Sequence, residues 1–256
     1  DIWTGDYAKV VDSNQKAIVA DAEFLKREGP VNFYSLYRIH NYHFLVYGAM
    51  FDGQSGVALE AARAIKQQVP EPMLKEMTDF LDAFMPTDLH VLVRFGRWDD
   101  ILNEPLPAEY LPVSRSIWHY ARALAYASTN RVPEAEIEQE AFLEAIEAVP
   151  ETSFLFQNPS INILAVAKEM VAGEIAYRKG EYDKAFAHLQ EAVRLDDALN
   201  YDEPWGWMQP ARHALGALLL EQGRATEDEA VYRGDLRRRP KNPRSPHGLA
   251  ARLAEQ

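Results

Sequence analysis

The segment Glu169–Asp197, EMVAGEIAYRKGEYDKAFAHLQEAVRLDD, decides the fold. Apolar and small residues recur every three or four positions on both sides of Gly180, the pattern of two amphipathic helices joined by a tight turn. Ala172, Gly173 and Ala176 precede the turn, and Ala185, Leu189 and Ala192 follow it. Small side chains at those places let two helices approach closely, and larger apolar ones fill the space between them. A glycine at the junction suits a helix end, where the backbone turns left-handed.

Working outward, the same phrase recurs along the chain: apolar helix, Gly or Asn, polar or aromatic residue, then Ala-rich helix. It is found at Gly5-Asp6-Tyr7, Gly53-Gln54-Ser55, Gly96-Arg97-Trp98, Asn130-Arg131-Val132, Gly180-Glu181-Tyr182 and Gly223-Arg224-Ala225. The intervals are 48, 43, 34, 50 and 43 residues, within the range of helical-repeat proteins. Alignment on these turns predicts a helix from Val10 to Lys26 as the second helix of an incomplete first unit. Pairs follow at 36–51 with 55–68, 74–95 with 98–103, 114–128 with 132–148, 160–178 with 182–196, and 207–221 with 225–238. A short capping helix follows over Leu249 to Ala254. Pro105, Pro107 and Pro112 mark one irregular connection and Pro150 to Pro159 a second. Residues 200–207, Asn-Tyr-Asp-Glu-Pro-Trp-Gly-Trp, form a third, too aromatic for a spacer. The expected fold is therefore all-α, a right-handed α-solenoid of antiparallel helix pairs running as one unit from 1 to 256.

Composition narrows the function. The 256 residues carry 39 acidic and 27 basic side chains, a net charge of −12, which repels phosphate backbones and argues against nucleic acid as a partner. The basic run Arg237-Arg238-Arg239 closes a predicted helix, where cations offset the negative dipole end. There is no cysteine, so disulfides, thiolate metal sites and cysteine nucleophiles are excluded together. The longest apolar stretch, Ala214 to Leu220, is far short of the ~20 residues of a membrane span. The chain starts at Asp1, so a targeting segment preceding it is compatible with the sequence, and cytoplasmic and periplasmic locations both stay open.

The unit around Gly180, and the next one with Leu215-Gly216, Gly223, Tyr232 and Pro240, resemble the tetratricopeptide consensus, in which small residues recur and a proline closes the unit. In that family the first helix of each pair lines a concave groove. The resemblance implies that Tyr37, His40, His43, Tyr47, His90, Arg94, Tyr120, Glu174, Tyr177, Trp205 and His213 face such a groove, with Glu221 at its end. Asp228 departs from the consensus alanine, and no groove position has the Lys/Asn pattern of carboxylate-clamp domains.

Two clusters stand out. His40 and His43 lie three apart on one helix face, so their imidazoles can converge on one ion. Neutral imidazole suits zinc, copper, iron or nickel, and His90 and Glu60 are further ligand candidates for such a divalent transition metal. The same spacing also fits polar packing against neighbouring aromatics, or a ligand contact. The second cluster is Tyr201 to His213. Pro210 suits the first turn of a helix, and Arg212 is placed to pair with Asp202 or Glu203. The two tryptophans either plug the end of the stack or form an aromatic wall with His213 or Glu203 reaching in. Trp98 reads as core, His119 as packed, and His188 as solvated. No serine–histidine–acid order, Gly-rich phosphate loop or Glu-x-x-His pair is recognisable.

Two phrases also resemble a bacterial tetratricopeptide family of largely unassigned function. These are His40 to Phe44, followed by Ala49 to Gly53, and Tyr201 to Arg212. In that family further histidine-rich helices precede the Gly-Asp-Tyr turn, so the chain resembles the C-terminal part of a longer protein. The leading expectation is a scaffold or binding module that holds a peptide, a partner protein or a small ligand. The rival is a metal-binding protein or metalloenzyme with His40 and His43 as ligands. Oligomeric state stays open.

Overall fold

A computed structural model describes residues 2–29 and 34–254; residues 1, 30–33, 255 and 256 lie outside the described part. The fold is built of helices: α1 (Tyr7–Glu28), α2 (Ser35–Phe51), α3 (Ser55–Gln68), α4 (Glu71–Glu76), α5 (Thr78–Leu81), α6 (Thr87–Arg94), α7 (Trp98–Asn103), α8 (Pro112–Ser128), α9 (Val132–Glu147), α10 (Ser160–Arg178), α11 (Tyr182–Ala198), α12 (Ala211–Glu221), α13 (Ala225–Arg238) and α14 (Arg244–Ala254). A 3-10 turn, Asp82–Phe84, joins α5 to the α6 region. Among the described residues the only sheet is a hairpin of β1 (Phe154–Leu155) and β2 (Asn158–Pro159), antiparallel, with Leu155 opposite Asn158. No helix among the described residues is long and apolar enough to cross a membrane.

The six turns identified in the sequence share one backbone. Gly5, Gly53, Gly96, Asn130, Gly180 and Gly223 all have φ between 60° and 77°, the left-handed region that glycine and asparagine tolerate. The residue after each has φ between −80° and −100° and ψ between 59° and 70°, and opens the next helix. In five of the turns the N–H of that residue closes back on the helix before it: Gln54 on Ala49, Arg97 on Leu92, Arg131 on Tyr126, Glu181 on Ala176 and Arg224 on Leu219, all at 2.8–3.0 Å. This closing bond satisfies a carbonyl that the helix end would leave orphaned.

The packing within pairs repeats as well. Gly173 of α10 lies against Leu189 of α11, and Gly216 of α12 against Tyr232 of α13; an added Cβ would stand 2.7 Å from the partner side chain in both. These residues are seven before and nine after their respective turn glycines. A histidine–glutamate pair recurs with its members exchanged. His119 Nδ1 is 2.7 Å from Glu138 between α8 and α9, and His188 Nδ1 is 2.6 Å from Glu169 between α10 and α11. His188 is thus hydrogen-bonded and half-buried, not solvated as its position on a second helix suggested.

Each of α2, α6, α8 and α10 packs on the next in that series, and α11 carries the contact on to α12. The chain then returns on itself. Gly5 sits so close to the carbonyl of Pro240 that no side chain fits there, and Arg244 donates to the Arg94 carbonyl at 2.8 Å. One apolar core runs from Ile2 through Leu219.

Two expectations are corrected, and a third is given its form. The helix expected over 74–95 is interrupted at Met77, where the Thr78 hydroxyl takes the carbonyls of Leu74 and Lys75, and again at Pro86, which has no N–H to donate. The helix expected from 207 begins at Ala211, because Trp207 is drawn wholly into the interior and Pro210 resets the chain. The irregular link near Pro150 holds the hairpin, whose turn residue Phe156 has φ 48°.

Because Gly173 and Gly216 are contact points, Gly173→Ala and Gly216→Ala should destabilise by about 1–3 kcal/mol through overpacking. Gly56→Ala, in α3 with nothing within 4 Å, should be neutral or stabilising by up to about 1 kcal/mol. Urea unfolding of the three variants measures this; equal effects at all three positions would contradict the close-approach reading.

Candidate functional site

The histidine segment lies in an aromatic cluster. His40 packs edge-on against Phe44 and Phe156, with ring centroids at 4.3 and 5.4 Å, and His43 lies 5.3 Å from Phe84 and 6.1 Å from Phe156. Phe156 reaches between them from the hairpin tip. The space between His43 and His90 is about 20 Å³, room for one water and no ligand. Among the described residues no group of three His, Asp or Glu side chains stands close enough to share a metal ion, so His40, His43, His90 and Glu60 do not form a ligand set. Tyr37 is 55% exposed and stacks on Tyr34.

The Tyr201–His213 segment enters the interior. Trp207 is fully buried, edge-on to His90 at 5.3 Å and to Tyr120 at 5.5 Å. Trp205 is buried and donates its indole N–H to Asp196 at 2.7 Å. Asp202 accepts from the Gln157 N–H at 3.1 Å and ties the segment to the hairpin instead of pairing with Arg212. Arg212 forms a two-pronged pair with Asp197 at 2.5 and 2.6 Å, because α11 brings that carboxylate alongside. Tyr47 stacks on Phe51 at 4.6 Å with Arg239 beside its hydroxyl, and Tyr177 packs on Tyr182 while its hydroxyl accepts from Gln222 at 2.8 Å. Both side chains are buried.

Buried carboxylates organise this interior. Asp82 accepts from the N–H groups of Val113 and Ser114 at 2.7 and 3.1 Å, and Asp196 from the N–H of Ala211 at 3.2 Å. Each caps the start of a helix, α8 with Pro112 as its first residue and α12 directly after Pro210, where the dipole favours negative charge. Asp235 accepts from Asn242 at 2.9 Å and from Ser245 at 2.7 Å, fastening α14. Arg239 lies 3.5 Å from Asp196 and 3.2 Å from Asp235. The basic run that seemed to serve only a helix end therefore places one member at the centre of the buried network.

His213 continues the network to Arg94. Its Nδ1 is 2.8 Å from an Arg94 guanidinium nitrogen and its Nε2 is 2.8 Å from Asp235. Arginine only donates, so Nδ1 must accept, and the proton sits on Nε2 and points at the carboxylate. Burial, against the opposing pull of Asp235, holds the His213 pKa down to about 4. The imidazole is neutral and both of its nitrogens are engaged.

Beside this pair lies a cavity of about 510 Å³. Arg94 of α6, Tyr120 of α8, Glu174 of α10 and His213 of α12 all reach it, one from the first helix of each of four pairs. Glu174 is bound by Arg178 at 2.7 Å. Leu124, Met170 and Leu218 supply an apolar wall. Arg178, Gln209 and Arg244 also line the cavity and were not among the residues expected in the groove. Arg178 is four residues after Glu174 on the same helix face, a spacing visible in the sequence; Arg244 follows Pro243 in a tail with no repeat signature. No family model, curated protein or solved structure matches the chain.

The buried imidazoles make stability depend on pH. Burial lowers His43 to about 3, and His90 and His213 to about 4, from an ordinary 6.5. The unfolded chain therefore binds protons between pH 6.5 and 4 that the native state refuses, and stability falls as pH falls through that window. Each site contributes up to about 1.4 kcal/mol per pH unit. Burial pushes Asp82 up to about 6, which works in the opposite sense below that pH and offsets one imidazole. Urea unfolding from pH 7 to 4 should show a falling free energy, with a shallower fall for His43→Phe; an identical fall would mean that His43 titrates normally.

Proposed function

We propose that this chain is a tetratricopeptide-type binding module that holds a small ligand in the cavity bounded by α6, α8, α10 and α12. The observation that carries the reading is the meeting of Arg94, Tyr120, Glu174 and His213, one from each of four successive pairs, at a single space of about 510 Å³. That volume falls within the range of small-molecule sites, and an apolar wall with a few placed polar groups is their usual make-up. The recurring left-handed turns, the glycine contacts at Gly173 and Gly216 and the exchanged histidine–glutamate pairs support a solenoid of repeated helix pairs. Such stacks bind along the concave side formed by their first helices.

Binding without chemistry is favoured by the state of His213. A general base or a metal ligand needs a free ring nitrogen, and both of its nitrogens are occupied, by Arg94 and Asp235. The identity of the fold carries no function by itself, and the reading stands on the cavity.

Ala217 is exposed and lines the cavity, so Ala217→Trp should fill it without disturbing the core. In a thermal-shift screen of small metabolites, compounds that raise the melting temperature of the wild type should lose that effect in Ala217→Trp. Compounds that stabilise both proteins equally would place binding elsewhere and defeat the reading.

A further inference from the structure

The geometry points to an organic anion with an apolar body as the occupant of this cavity, its acid group seated between Arg94 and Arg244. The inference rests on the cavity being a binding site. Three guanidinium groups line it, from Arg94, Arg178 and Arg244, against the single carboxylate of Glu174, in a chain whose net charge is −12. Glu174 is spent on Arg178. The other two cations have no carboxylate partner at ion-pair distance among the described residues.

Arg94 is the more telling of the two. Its guanidinium lies 4.8 Å over the ring of Phe51 and makes its one side-chain hydrogen bond among the described residues to the neutral His213, in a residue only 5% exposed. A buried cation without a counter-ion is costly, and the cost is relieved when an anion arrives. Burial and the like charge of Arg244 both act against the Arg94 cation, bringing its pKa down to about 9, so it is still charged at neutral pH. Arg244 stays beside it because its own N–H binds the Arg94 carbonyl at 2.8 Å. The His213–Asp235 pair holds Arg94 from the other side. Two donors fixed near each other, with an unfilled space before them, match the planar fork-to-oxyanion recognition of carboxylates and phosphates.

Leu124, Met170 and Leu218 call for an apolar remainder on the ligand. A second cavity of about 530 Å³ under α14 shares His213, Ala217 and Arg244 with the first, so Arg244 stands in the wall between them with room for a chain on either side. An inorganic anion would leave this apolar surface wet.

Calorimetric titration of the whole chain with octanoate, octyl phosphate, 1-octanol, octylammonium and inorganic phosphate tests the assignment. Octanoate or octyl phosphate should bind at least ten-fold more tightly than the other three, and the preference between them identifies the acid group. Arg244→Gln should weaken the preferred anion ten-fold or more and leave the melting temperature in place. Arg94→Met should do the same or more, and Arg244→Gln at the rim keeps the test valid if that variant fails to fold. Octanol binding as tightly as octanoate, or Arg244→Gln with unchanged affinity for the anion, would overturn the anion assignment while leaving a neutral-ligand cavity intact. Inorganic phosphate equal to octyl phosphate would overturn the apolar half, and binding of none of the five would overturn the assignment whole.

Discussion

A single backbone geometry, repeated six times, governs the rest of the molecule. At five of the six turns a left-handed residue lets one helix end and the next begin within three positions, and the returning N–H bond fixes the angle between them; at Gly5 the same backbone geometry opens α1. Once that angle is set, which faces of neighbouring helices meet is no longer free. Gly173 and Gly216 meet Leu189 and Tyr232 at matching positions, and the paired histidine and glutamate exchange places without changing the contact. Helices of unequal length and intervals of 34 to 50 residues are tolerated because the constraint resides in the turn and not in the length between turns.

The interior is filled by a loop as well as by helices: the segment 200–210 enters it, with Trp205 and Trp207 buried and Trp207 against His90 and Tyr120. Burying that loop strands backbone N–H groups and an indole, and Asp196 satisfies two of them at once. Asp82 performs the equivalent task for α8. Arg239 and Asp235 then carry charge compensation across to His213, whose fixed tautomer positions Arg94. The cavity lies at the end of this chain of contacts, lined by Arg94 and His213.

The histidines show where residue patterns mislead. His40 and His43 do share a helix face, as their spacing requires, yet the third and fourth groups around them are phenylalanines. Phe156 arrives from a hairpin more than 100 residues away, which no local period announces. By contrast Arg94, Tyr120, Glu174 and His213 were placed by counting back from the turns, and they do lie around one space, because counting from a fixed turn is counting along a fixed helix.

Sequence by itself determined the helical class, the six turns and the bounds of α3, α7, α10 and α13, since these follow from three- to five-residue interactions: apolar periodicity, small residues at contacts and glycine at left-handed positions. Only the tertiary structure decided that Tyr47, His43 and Tyr120 are buried, that Arg239 is a core residue, and that two arginines 150 residues apart stand together with no carboxylate at ion-pair distance among the described residues. The contacts between distant segments, Gly5 with Pro240 and Arg94 with Arg244, depend on how all the helices between them are placed, which no single turn contains.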